Sequence, residues 1–315
     1  LAITYMDATN GWIPTTDDTV TNAPIKLNSE GIFGFGNTGS VTGVTNLVSS
    51  SGVVATDVSA VGTARSGRSA CEYGGDKAIF GFGYNGVSTN SDVTNLVSNA
   101  GVVATDTTGV GTGRRFSSAC SYGSDKGIFG FGWISGVTAL TNLVSNAGVV
   151  ATDVTGVGTA RYSSAACEYG TDTAIFGFGN DGSKVSMTNL VSNAGVVATD
   201  TTGVGSARNY IAACGYGGDK GIFGYGTTGS DTAVTNLVSN VGVVATDTTG
   251  VGTTRQSIAA CEYGNDKGIF GYGYNAAGSY TGLSMTNLVS NAGVVGTDVT
   301  GVGTARWHLS ACSFN

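Results

Sequence analysis

The chain has 315 residues, a formal charge of −7 and only 11% charged residues, about half of the roughly 25% usual in soluble domains. An acidic chain this poor in Lys and Arg excludes the basic face that nucleic acid requires. No apolar run approaches the roughly 20 residues needed to span a bilayer as a helix, and the recurring Ile, Val, Leu and Phe exclude a disordered chain.

Residues 1–30 stand outside the pattern that fills the rest. They hold both prolines, Pro14 and Pro24, together with Trp12, Asp17 and Asp18. Proline and polar residues predict an extended N-terminal strap. Trp12 and Ile13 are its candidate docking residues, either on the protein's own body or on another particle protein. No signal peptide is present in these residues, and the first residue is Leu1, which leaves secretion open.

From 31 to 315 the chain is repetitive. TNLVSNAGVVATD stands at 94–106, 141–153 and 188–200, with near-copies at 45–57, 235–247 and 286–298. A unit of about 47 residues contains four β-rich segments. Segment a opens on Arg and runs into small residues, as in Arg65–Tyr73. Segment b is Ile79–Gly83, c is Thr94–Ser98 and d is Val102–Thr107. Gly-containing turns such as Gly74-Gly75-Asp76 and Asn99-Ala100-Gly101 join a to b and c to d. Val, Thr, Tyr and Phe favour strands, so the unit reads as a four-stranded antiparallel blade. Its core set is Ile79, Phe80, Phe82, Leu96, Val97, Val102 and Val103.

Two features point to a closed ring rather than an open stack. Large apolar residues at both strand parities require both sheet faces to be covered. The first unit also lacks segment a, which reappears at the far end as Arg306–Phe314, where it can complete the first blade and remove an open edge. The fold expected is all-β, a six-bladed β-propeller of four-stranded blades closed by the C-terminal strand. The small residues of segment a place it innermost.

No catalytic constellation emerges. The six cysteines (Cys71, Cys120, Cys167, Cys214, Cys261 and Cys312) occupy one equivalent position per blade, too far apart for disulfides. They read as small buried hydrophobes, suited to synthesis in a reducing cytosol. His308 is the only histidine, too few for a metal site of the usual spacing. The repeated Arg and the repeated Asp of VATD (Asp57, Asp106, Asp153, Asp200, Asp247 and Asp298) read as a bond fixing the d–a corner, or as a charged ring at a channel mouth. Asp76 and its equivalents read as turn residues, with calcium as the functional alternative. No enzyme activity, cofactor or metal is expected.

The copies differ strongly in two places. The b–c loop varies in sequence and length, and the three residues after the Arg read SGR, RFS, YSS, NYI, QSI and WHL. In an a–b–c–d meander both patches emerge on the same face. They carry Arg68, Tyr84, Arg115, Phe116, Trp133, Tyr162, Tyr210, Tyr274, Tyr280, Trp307 and His308. Tyr, Trp and Arg dominate binding hot spots, and loops on a rigid scaffold carry recognition.

With Arg opening the inner strand, Ile-Phe-Gly-Phe-Gly in the next and Val-Thr-Asn-Leu-Val after it, residues 31–315 resemble the Kelch repeat. Two departures stand out: Phe or Tyr splits the adjacent double glycine, and no Trp stands in the outer strand. The resemblance implies a propeller that binds proteins or glycans through the b–c and d–a face. The near-identical wording of the copies also resembles repeats in phage-encoded particle proteins. The expected function is recognition by a virion or tail-associated adhesin, whose partner is a host-surface glycan or protein. The expected location is the particle or the extracellular space, without membrane insertion. The alternatives are a purely structural assembly protein and an intracellular Kelch-type adaptor.

Overall fold

The computed structural model describes residues 2–7, 11–16, 29–59, 61–87, 89–278 and 281–315. Among them there is no α-helix and all strand pairs are antiparallel. Each repeat forms one three-stranded sheet in the order a–b–c. In chain order the second sheet is Ser69–Tyr73, Lys77–Gly81 and Thr94–Val97. The third is Ser118–Tyr122, Lys126–Trp133 and Val137–Val144, and the fourth is Ala165–Tyr169, Thr173–Asn180 and Lys184–Val191. The fifth is Ala212–Tyr216, Lys220–Gly224 and Thr235–Val238. The sixth is Ala259–Tyr263, Lys267–Gly271 and Thr286–Val289. The first sheet takes Ser310–Phe314 from the C-terminus and pairs it with Glu30–Asn37, which pairs in turn with Val41–Val48.

The sheets have three strands, not the four expected. Segment d meets c at isolated bridges, such as Val97 with Val103 and Thr94 with Thr107, and through backbone bonds such as Ala104 N–H to the Leu96 carbonyl. The Asn of TNL interrupts a regular ladder: Asn95 Nδ2 donates to the Ala104 carbonyl at 3.1 Å and to Asp106 Oδ1 at 2.8 Å. The predicted core set changes accordingly. Val103 is buried, but Val102 points outward with 64% of its surface exposed, and Leu96 is only half-buried.

The Ile-Phe-Gly-Phe-Gly strand carries a bulge. Phe35, Phe82, Phe131, Phe178, Tyr225 and Tyr272 all have φ between 61° and 64°, a left-handed conformation that costs an aromatic residue energy. In a regular strand, side chains two apart share a face. The bulge breaks that rule, so Phe33 packs with the sixth sheet and Phe35 with the second. Each bulge aromatic then meets the first Phe of the next repeat at 5.1–5.3 Å between centroids, and Tyr272 against Phe33 completes the sequence. The intervening glycine is a packing requirement, because a Cβ on Gly81 would lie 2.7 Å from Phe129 Cζ.

Polar contacts join the same neighbours. The Asp106 carboxylate accepts the Thr63 N–H at 3.0 Å and the Thr63 hydroxyl at 2.6 Å, and all six repeats copy this clamp. The repeated Arg is fully buried, which overturns the charged-ring alternative. Arg65 donates to the Phe82 carbonyl, the Thr63 carbonyl and Asn95 Oδ1, with Asp106 Oδ1 at 3.5 Å. Burial lowers the Arg114 pKa to about 10, which leaves it charged at neutral pH. In the a–b turn, Asp76 is ion-paired with Lys77 and accepts Asn99 Nδ2. The six cysteines form no disulfide and are buried. Several press against a neighbour's glycine, as Cys71 Sγ does on Gly127, and burial pushes the Cys71 thiol far up.

The a strands contact one another in chain order, and Ser310–Phe314 contacts both Ala259–Tyr263 and Ser69–Tyr73. Ala2–Asp7 and Gly11–Thr16 form a hairpin that pairs Trp12 with Tyr5 and Ile13 with Thr4.

Candidate functional site

The two variable patches meet because the backbone ties them together. In every repeat the residue after the Arg bridges the first residue of a b–c loop. The pairs are Ser66 with Tyr84, Arg115 with Trp133, Tyr162 with Asn180, Asn209 with Thr227, Gln256 with Tyr274, and Trp307 with Asn37.

The next residue of each repeat forms a closed circuit of backbone bonds. Phe116 N–H donates to the Gly67 carbonyl, Ser163 to Phe116, Tyr210 to Ser163, Ser257 to Tyr210, His308 to Ser257, and Gly67 back to His308, over 2.5–3.1 Å. All six have φ between 50° and 59°. Six large side chains cannot share so narrow a ring, and the sequence alternates Gly67, Phe116, Ser163, Tyr210, Ser257 and His308. At Gly67 a Cβ would lie 2.9 Å from Phe116 Cε1. The three large rings pack as a triangle. Phe116 lies 5.8 Å from Tyr210 and 5.0 Å from His308, and Tyr210 lies 5.4 Å from His308. Burial holds His308 near a pKa of about 4, so the imidazole is neutral. Burial raises the Tyr210 phenol.

Further aromatics extend this triangle. Tyr162 touches Phe116 and Tyr210, and Trp133 stands edge-on to Tyr162 at 5.3 Å. On the other side Tyr274 links His308 to Trp307. The Arg115 guanidinium lies 5.0 Å from the Tyr84 ring centroid and 5.6 Å from that of Phe116. Arg115, Phe116, Trp133, Tyr162 and Tyr210 line a cleft of about 240 Å³. A smaller depression of about 60 Å³ adjoins it, sharing Phe116 and Tyr210 and lined also by Arg68 and His308.

Of the eleven candidates, nine are joined in this patch. Arg68 is not at the surface as expected. It is only 4% exposed, with its guanidinium carbon 3.0 Å from the Phe35 ring centroid and 4.5 Å from that of Phe80. Its equivalents Ile211, Ile258 and Leu309 are buried in the apolar core, and Arg68 occupies the same place. Tyr280 lies outside the described residues. Trp12 and Ile13 are in the N-terminal hairpin, described through its backbone only.

A second cavity of about 50 Å³ is lined by all six a segments. There Glu72, Glu168 and Glu262 alternate with Ser121, Gly215 and Ser313. A Cβ on Gly215 would collide with Glu262 Oε1. This alternation and the one at the aromatic triangle are the same device, with large and small residues exchanged between odd and even repeats. Sequence reasoning treated the variable triplets as loop sequence and missed it. Reading one column across the six copies would have exposed it.

Chemically, the aromatic patch offers stacking surfaces and guanidinium donors. Among the described residues, no group of three or more His, Cys, Asp or Glu is arranged to hold a metal ion. No protein-family model matches this chain, and no curated protein sequence matches it.

Proposed function

We propose that the chain is a six-bladed β-propeller acting as a non-enzymatic recognition protein. In this reading it is an adhesin of a virion or tail, and it contacts a host-surface glycan or protein through the aromatic face. The observation that carries the reading is the merging of nine copy-specific Tyr, Trp, Phe, His and Arg side chains into one patch. Elsewhere the repeats are nearly identical. Drift in unconstrained loops accounts for difference between copies, but not for aromatic and Arg side chains from several repeats in mutual contact. Rigid aromatics supply contact area at low entropic cost, and the cleft lined by Trp133 and Tyr162 suits the apolar face of a sugar ring. The propeller reading draws on the cyclic order of sheet contacts and on the C-terminal strand in the first sheet. The fourth segment is then an outer edge laced by Asn and Asp.

A glycan array with wild type, Trp133→Ala and Trp307→Ala tests the reading. The expected result is selective retention by wild type, weakened in both variants. No binding at all, or binding indifferent to both changes, would sink the adhesin idea.

A second reading, a structural particle protein, is favoured by one observation. Val53, Val102, Val149, Val196, Val243 and Val294 recur at one position per repeat and are 63–65% exposed, a repeated apolar rim fit for a symmetric assembly. In this reading residues 1–30 dock onto other particle proteins. Particle assembly unaffected by deleting them would count against that role.

A further inference from the structure

The chain supplies acceptors to its repeated arginines with care. Arg65, Arg161, Arg208, Arg255 and Arg306 each donate through Nε, Nη1 and Nη2 to two carbonyls and an Asn side chain. Arg114 donates through Nε and Nη1 to two carbonyls, and its Nη2 has no partner. The two arginines outside the repeated position are Arg68 and Arg115. Arg115 Nε is buried without a hydrogen-bond partner, and so are Nε, Nη1 and Nη2 of Arg68. A buried cationic donor without an acceptor is costly. Neither has a counterpart in the other repeats, where the Arg115 position holds Ser66, Tyr162, Asn209, Gln256 and Trp307.

Arg115 lies at the recognition surface and Arg68 is buried beneath it. Arg115 forms part of the larger cleft with Trp133 and Tyr162, and Arg68 lines the adjoining depression. Among the described residues, no Asp or Glu lines either hollow. Local positive charge in a chain of net charge −7 favours an anion here. At about 240 Å³ the cleft falls below the roughly 300–1,000 Å³ typical of drug-sized pockets, which leaves room for a single sugar unit.

We propose that the face takes an anionic sugar, one whose ring carries a carboxylate or a sulfate ester. The sugar ring stacks on the aromatic wall that Trp133 and Tyr162 form together, its oxyanion accepts from Arg115, and Arg68 adds positive potential from beneath. This assignment rests on the recognition reading above and narrows its ligand class.

The test uses matched oligosaccharides: a neutral one, its uronic-acid counterpart and its sulfated counterpart, titrated against the full chain at low and high salt. Charge-assisted bonds predict an anionic member bound roughly tenfold or more tighter than the neutral one. The uronic and sulfated arms separate the two sources of the oxyanion. Arg115→Gln, which copies Gln256 of another repeat, should abolish the preference while the melting temperature persists. Arg68→Leu, which copies Leu309, should reduce the preference in a fold that already accepts Leu there. Equal binding of neutral and anionic members, or an undiminished preference in Arg115→Gln, overturns the assignment and leaves the recognition reading standing. No binding of any of the three removes the anionic-sugar assignment, and retention of other glycans on the array would show that recognition itself survives.

Discussion

Replacing Asp57 by Ala tests the junction between the two ends of the chain. Its carboxylate accepts the Thr304 N–H at 3.1 Å, the Thr304 hydroxyl, and Asn46 Nδ2 at 2.9 Å. Asp153 makes the equivalent bonds to Thr112 and Asn142 between internal repeats. A hydrogen bond to a charged group contributes about 1.5–3 kcal/mol. These carboxylates are largely solvated and their partners can turn to water, so about 1–3 kcal/mol is expected for each Ala variant. The assay is urea unfolding followed by tryptophan fluorescence, comparing midpoints because repeat arrays need not unfold in two states. Both variants should shift the midpoint down by similar amounts. The Asp57 bonds cross 247 residues and exist only while the C-terminal segment lies beside the first sheet. A silent Asp57→Ala beside a destabilised Asp153→Ala would refute that the ends are joined as described.

The remaining predictions concern pH, packing and thiols. Burial pushes the repeated Asp carboxyls up, but bonds from Thr or Ser and from Asn outweigh it, with help from Arg, and hold all six below the ordinary 3.8. Their stabilisation is present above 3.8 and lost as pH falls through the lower folded values. His308 adds an earlier loss, because its pKa falls from 6.5 to about 4 on burial and the unfolded chain takes the proton first. Unfolding midpoints should therefore decline below pH 6.5 and drop steeply below 3.8, and midpoints unchanged throughout would contradict this. NMR titration of the single imidazole should give a value near 4, whereas one near 6.5 would mean that the aromatic triangle is open to water. Gly81→Ala drives a Cβ to 2.7 Å from Phe129 and should cost about 1–3 kcal/mol. Gly136→Ala, with open space around it, should be nearly neutral. The six buried thiols should resist a thiol reagent in the native protein and all react in denaturant. Rapid native labelling of any one would place it at the surface.

Much of the candidate site was legible because repetition provides its own control. Six copies of one unit separate what the scaffold needs from what is free to differ, and the differing residues were the ones that assembled into a face. Arg68 was misplaced because its charge was read as exposure. Its position is set by the backbone, and Ile211, Ile258 and Leu309 mark that position as core. The missing fourth strand was hidden for a related reason. GVVATD has strand composition, but Asn95 Nδ2 takes the Ala104 carbonyl and interrupts the ladder.

The sequence alone determined the all-β class, the number of repeats, the small inner segment and the C-terminal replacement for the missing first segment. These follow from local composition and from counting copies, which need no coordinates. Only the tertiary structure decided that the bulge at each second aromatic sends its ring to the opposite sheet face, because φ at that residue answers to neighbours on both sides. It also decided that Phe116, Tyr210 and His308 meet in a triangle while Gly67, Ser163 and Ser257 make room. Residues about 47 positions apart or more come into contact there, and the limited space around one ring sets which of them can be large.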